Sequence, residues 1–152
     1  MSLDTLASSD RDVQTRADTL SRRWIVIALA YFVAAVTLGV VMGASHDFRL
    51  KTVHVHANLL GWVSMALMGV VYRLFPKAAA SRLATWHFGL YQAGLPLMLG
   101  GLAAVMLGQG AAEPVIGVGS FVLLAAVVCF ALTIGLNGRG SADPVGQTRV
   151  VA

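Results

Sequence analysis

Four apolar runs, each long enough to cross a lipid bilayer, constrain this chain more than any other feature. They cover residues 24–44, about 53–75, 84–107 and 112–136. A helix rises 1.5 Å per residue, so about 20 apolar residues span the roughly 30 Å hydrocarbon layer. Charges gather between the runs, and only 12% of residues are charged against 57% hydrophobic. A soluble domain carries about twice that charge fraction. The expected fold is therefore all-α: a polytopic membrane protein of four transmembrane helices.

Residues 1–23 mix both charge signs with Ser and Thr and read as a mobile cytosolic tail. Residues 24–136 form the membrane domain, and residues 137–152 read as a second polar cytosolic tail. The N-terminus lacks the layout of a cleaved signal peptide. Nine of the eleven Lys and Arg residues lie in the two tails, in the last turn of run two (Arg73) or between runs two and three; only Arg49 and Lys51 lie between runs one and two. The positive-inside rule then predicts both termini in the cytoplasm. Basic residues flank apolar blocks and form no stripe of their own, so the net charge of +4 is read as membrane topology and nucleic acid is not an expected partner.

Trp24, Trp86, Tyr31 and Tyr72 lie near proposed ends or outer turns of spans, where aromatic belts form. Pro114 suits a first helical turn. Pro96 predicts a kink or a freed carbonyl inside the third span, and Gln92 is expected to bond to another helix or to that carbonyl. Gly39 and Gly43 make a Gly-x-x-x-Gly pattern that permits close helix approach. The glycines of "GLYQAG" and the Gly100–Gly101 pair read the same way, and would also leave room for a flat macrocycle. The single cysteine, Cys129, reads as a packing residue. No nucleophile–base pair, phosphate loop or zinc motif is present, which empties the case for a hydrolase.

The second run opens with "HVHANLL", residues 54–60. In a helix, residues two apart differ by about 200° around the axis. His54 and His56 therefore face opposite flanks and form no chelate, but serve two different sites. His54 shares a face with Asn58, and His56 with Leu60 and Val63. His87 starts the third span from the other side of the membrane, too far to share a metal with His56, and reads as interfacial. Residue types alone leave two readings open: interfacial histidines, or ligands marked by unusual intramembrane polarity.

The stretch "HANLLGWVSMALMGVVYRLFP" resembles helix II of the catalytic subunit of the heme-copper oxidase superfamily, most of all its nitric oxide reductase and cbb-type oxidase branches. The shared pattern is carried here by His56, Asn58, Leu59, Leu60, Gly69, Tyr72 and Pro76. "RLATWHFGLYQAGLPLML" resembles the third helix more weakly. Short four-helix oxidase-like proteins carry the same His-x-His-x-Asn-Leu-Leu-Gly run. The resemblance implies that His56 is an axial ligand of a b-type heme, with His54 the second candidate and Asn58 beside them. Arg49 and Lys51 would meet the anionic propionates. A complete catalytic subunit has about twelve helices and six histidine ligands, whereas this chain has four histidines. A copper centre, and oxygen or nitric oxide reduction by this chain alone, are therefore not expected. The family's array of three four-helix arcs implies a homo-oligomer, a trimer before a dimer, with heme held between neighbouring second helices. Electron transfer or heme and gas binding in a bacterial cytoplasmic membrane is the implied role. The alternative is a non-heme structural or transporter-like module.

Overall fold

A computed structural model describes residues 3–137 of the chain. Four helices in it are long and apolar enough to cross a membrane. We label them α1 (Leu3–Ser45), α2 (Lys51–Leu74), α4 (Arg82–Met106) and α5 (Glu113–Asn137), with a short α3 (Pro76–Ala79) between the second and third spans. The described residues contain no strand. The chain is a multi-pass membrane protein.

The helix ends follow local chemistry. Pro76 sits in the first turn of α3, where its missing N–H costs nothing. The Ser81 hydroxyl accepts from the Ala84 amide and caps α4. At the other end of α4, Gly108 takes φ +96°, a left-handed conformation that suits glycine. The Gly108 and Gln109 amides there donate back to the Val105 and Ala104 carbonyls, closing a Schellman turn.

α1 packs on α2 and α3, and α4 packs on α5. Glycines set the closest approaches. A Cβ at Gly119 would lie 2.5 Å from the Met98 backbone nitrogen, and one at Gly94 2.9 Å from the Leu123 nitrogen. On the other pair, Gly61 receives the Tyr31 ring, and Gly69 receives Ile25 and Trp24. The Gly39–Gly43 pattern does not bring two backbones together: Gly39 faces the His54 imidazole, and Gly43 meets nothing within 4 Å. Gly94 and Gly101 are taken up by α5 backbone, as close packing requires, whereas Gly89 and Gly100 meet nothing within 4 Å.

One aromatic cluster joins the two helix pairs. Trp24 of α1 stacks on His87 of α4 with ring centroids 4.7 Å apart, and Phe130 of α5 lies 5.0 Å from the same imidazole. Tyr72 of α2 hydrogen-bonds His87 Nδ1 at 2.8 Å. Tyr91 of α4 donates to the Leu60 carbonyl of α2 at 3.0 Å. Trp24, Tyr72 and His87 are all at 0% exposure. The expectation that these three are interfacial is thus corrected: each points inward, toward the other spans. Trp86, at 67% exposure, does lie outside.

Two further expectations change. Residues 3–23 do not form a loose tail but continue α1 as helix, with Ala17 and Ser21 buried and Asp18 ion-paired to Arg73 at the end of α2. Only residues 1–2 of the N-terminal tail, and residues 138–152 of the C-terminal one, lie outside the described residues. Pro96 sits within α4, which continues as helix on both sides of it; having no N–H, it leaves the Gln92 carbonyl without its helical partner. The Gln92 amide nitrogen is buried with no hydrogen-bond partner among the described residues, so the expected bond to another helix or to a freed carbonyl is not made.

Candidate functional site

The polar end of α2 is built by a turn and a change of helix type. In the α1–α2 turn His46 adopts φ +55°. Asp47 then accepts from the Arg49 amide and holds its guanidinium at 2.6 Å. This pairing keeps the Asp47 carboxyl down at about 2, chiefly through the side-chain hydrogen bond from Arg49 and then through its backbone amide. The folded value lies below the ordinary one, so the ionised pair persists above it and is lost as pH falls through about 2. Carboxyl NMR of Asp47 is expected to show a midpoint near 2 in the native protein; a midpoint near the ordinary 3.8 would mean that the turn is not closed. The same bridge occupies Arg49, one of the two cations expected to meet propionates, while Lys51 stays exposed.

α2 is α-helical over Lys51–His56, π-helical over Ala57–Ser64 and α-helical again over Met65–Leu74. The wide segment begins directly after the histidine pair. Side-chain hydroxyls meet its carbonyls: Ser64 donates to Leu59 at 2.9 Å, and Tyr91 donates to Leu60. Single π-turns inside α-helices recur at functional sites.

The two imidazoles diverge, as their spacing predicts, but each is anchored in the same manner. His54 Nδ1 lies 2.8 Å from the Ala35 carbonyl of α1, and His56 Nδ1 lies 2.9 Å from the Thr52 carbonyl one turn earlier. A carbonyl only accepts, so both Nδ1 atoms carry a proton, and in that tautomer Nε2 is the nitrogen with the lone pair. Asn58 joins the first site: its amide nitrogen donates to the His54 carbonyl at 3.0 Å and lies 3.4 Å from His54 Nε2. Gly39 makes the seat for this imidazole, since a Cβ there would come 2.8 Å from His54 Cε1.

Beside His54 runs an open groove of about 490 Å³, lined by Val36 of α1 and by Val55, Asn58, Leu59 and Val63 of α2. His54 lines this groove and His56 does not. The structure thus brings together His54 and Asn58, leaves His56 on its own flank, and places Arg49 with Asp47. Among the described residues no three His, Cys, Asp or Glu side chains converge as a metal cage. The donor set fits a ligand that needs one axial imidazole per chain and an apolar wall.

Sequence reasoning missed the buried Trp24–Tyr72–His87–Tyr91 cluster. The signal was present in α4, where Ala84, His87, Tyr91, Gly94 and Met98 recur at helical spacing and mark one buried face.

No protein-family model matches the chain, and no solved structure does. Among curated proteins it is similar to subunit CcoN1 of the cbb3-type cytochrome c oxidase of Stutzerimonas stutzeri, with 30% identity over 100 residues. That alignment covers 58% of this chain and 21% of the relative, so the chain spans about a fifth of the length of the subunit it matches.

Proposed function

We propose that this protein binds heme b at the end of α2 that bears His54 and His56, as a small relative of the heme-copper oxidase catalytic subunit working in electron transfer or heme and gas binding. The observation that carries the reading is the shared anchoring of the two imidazoles. Ligating histidines commonly donate the second ring N–H to a carbonyl, which fixes the tautomer and aims the other nitrogen. Here Ala35 and Thr52 supply those carbonyls, and the two Nε2 atoms are the ligating positions. When bound, heme would supply a one-electron couple, with an open axial position only where a single histidine ligates. The chain's own contribution is to orient the rings, to offer an apolar wall at Val36, Leu59 and Val63, and to present Lys51 at the rim, Arg49 being held by Asp47. Because one chain offers one wall, we place the other wall on a second copy, in a trimer before a dimer. Both termini would lie in the cytoplasm and the protein in the bacterial cytoplasmic membrane. Similarity to an oxidase subunit supports the cofactor class.

A second reading has an observation of its own: His54 and Asn58 already act as a fastener between α1 and α2. Under that reading the protein is a non-heme structural or transporter-like module. Spectra of protein expressed with a heme supply separate the two. The heme reading expects a reduced-minus-oxidised b-type band that is lost in His56→Ala and in His54→Ala, with helical content unchanged. Colourless wild-type protein, or a band indifferent to both substitutions, would overturn it. Native mass spectrometry tests the assembly: a strict monomer retaining bis-histidine heme would contradict a site shared between copies.

A further inference from the structure

At the basic end of the bundle, far from His54 and His56, the surface of α1 carries a polar cavity that runs on into apolar grooves. The cavity, about 270 Å³, is lined by Thr15, Arg16, Thr19 and Arg23 of α1 and by Thr85 in the first turn of α4. Leu20, Ala79 and Ala80 complete its wall. None of its lining residues is acidic. The neighbouring carboxylate, Asp18, is engaged by Arg73 and by Gln14 instead. The Thr15 hydroxyl donates to the Arg11 carbonyl, but two arginines with the Thr19 and Thr85 hydroxyls in one lining, and no acidic residue among them, suit a phosphate.

The grooves beyond Arg23 distinguish one source of phosphate from another. Arg23 also lines an adjoining groove with Arg22, Val26 and Ile27. Ile27 in turn lines the next one, with Ala30, Tyr31 and Ala34. By helix rise, Arg23 to Ala34 covers roughly 16 Å. That is about half of the ~30 Å hydrocarbon layer, the depth of one leaflet. A cationic head pocket leading into an apolar track of leaflet depth matches an amphiphile. A free phosphate would need only the cavity.

We infer that this face of α1 is a binding site for an anionic phospholipid, its phosphate held by Arg16 and Arg23 and an acyl chain lying along Val26, Ile27 and Tyr31. The site lies at the opposite end of α1 from His54 and does not depend on the heme reading. It also gives the helical extension at residues 3–23 a purpose. That segment carries Thr15, Arg16 and Thr19 beyond the apolar run, and the Asp18–Arg73 pair fixes it against the bundle.

The test uses the full chain, delipidated in mild detergent and titrated with phosphatidylglycerol, with phosphatidylcholine or with inorganic phosphate, the adducts being counted by native mass spectrometry. Phosphatidylglycerol is expected to bind at least tenfold more tightly than phosphatidylcholine. Each arginine near a headgroup is worth about a fivefold factor, so R16Q/R23Q is expected to weaken phosphatidylglycerol roughly ten- to thirty-fold. The charge-matched R11Q/R82Q pair, outside the cavity, should retain it. Ile27→Trp, which fills the apolar track without changing charge, should also weaken it. Equal affinity for the two lipids, or equal loss in both arginine pairs, would overturn the proposal. Displacement of the lipid by millimolar inorganic phosphate would identify a free-anion site and overturn its lipid form.

Discussion

Gly119→Val is expected to separate α4 from α5 and to cost about 3 kcal/mol or more, the upper range for forcing bulk into a packed interface. The reason is the identity of the neighbour. A Cβ at Gly119 would meet the Met98 backbone nitrogen at 2.5 Å and its Cα at 2.7 Å. A flexible side chain could rotate away; a helix backbone cannot. Relief therefore requires the two axes to part, which also strips the contacts around Gly94 and Gly101, where Cβ atoms would come within 2.9 Å of α5 backbone. In a bilayer this loss is severe, because lipid is as apolar as the helix and close van der Waals packing is what favours association. The matched control is Gly117→Ala, where an added Cβ meets nothing within 4 Å. Thermal unfolding in detergent, followed by circular dichroism, should show Gly119→Val far below wild type and Gly117→Ala unchanged or slightly higher. Equal midpoints for the two variants would refute the close α4–α5 contact.

The second large effect is expected at Trp24. Removing a buried tryptophan from a soluble core costs about 3–5 kcal/mol. Here we expect the low end, about 3 kcal/mol, because the transfer from water that adds to the soluble figure is weaker between protein and lipid. Trp24→Ala takes away the ring stacked on His87 and the edge contacts to Phe88 and Tyr91. It opens a cavity at the point where all four spans meet. Trp86→Ala, also at a span end but 67% exposed, should change stability by less than about 0.5 kcal/mol. Comparable losses in the two variants would mean that the cluster is not the junction of the bundle.

This pair of tryptophans shows where sequence reading stops. Trp24 and Trp86 both lie within the first three residues of their apolar runs, and both suit an interfacial belt. Only the neighbours supplied by other helices separate them. His87 is a similar case. Its place beside Trp86 reads as interfacial, yet its partner is Tyr72, 15 residues earlier on another span. The histidine pair was more legible, since divergence of His54 and His56 follows from helix geometry alone. Their difference was not: the chain's own groove lies beside His54, whereas the family pattern draws attention to His56.

The sequence by itself determined the number of spans, their approximate limits and the all-α class, because hydropathy and helix rise are properties of consecutive residues. It also determined that two imidazoles leave one helix on opposite flanks. The tertiary structure decided which small residues carry helix contacts, which aromatics turn inward, and that residues 3–23 extend α1. Those outcomes depend on pairings between residues far apart in the chain. In an apolar solvent such pairings are selected by shape and by hydrogen bonds, and hydropathy is nearly silent about both.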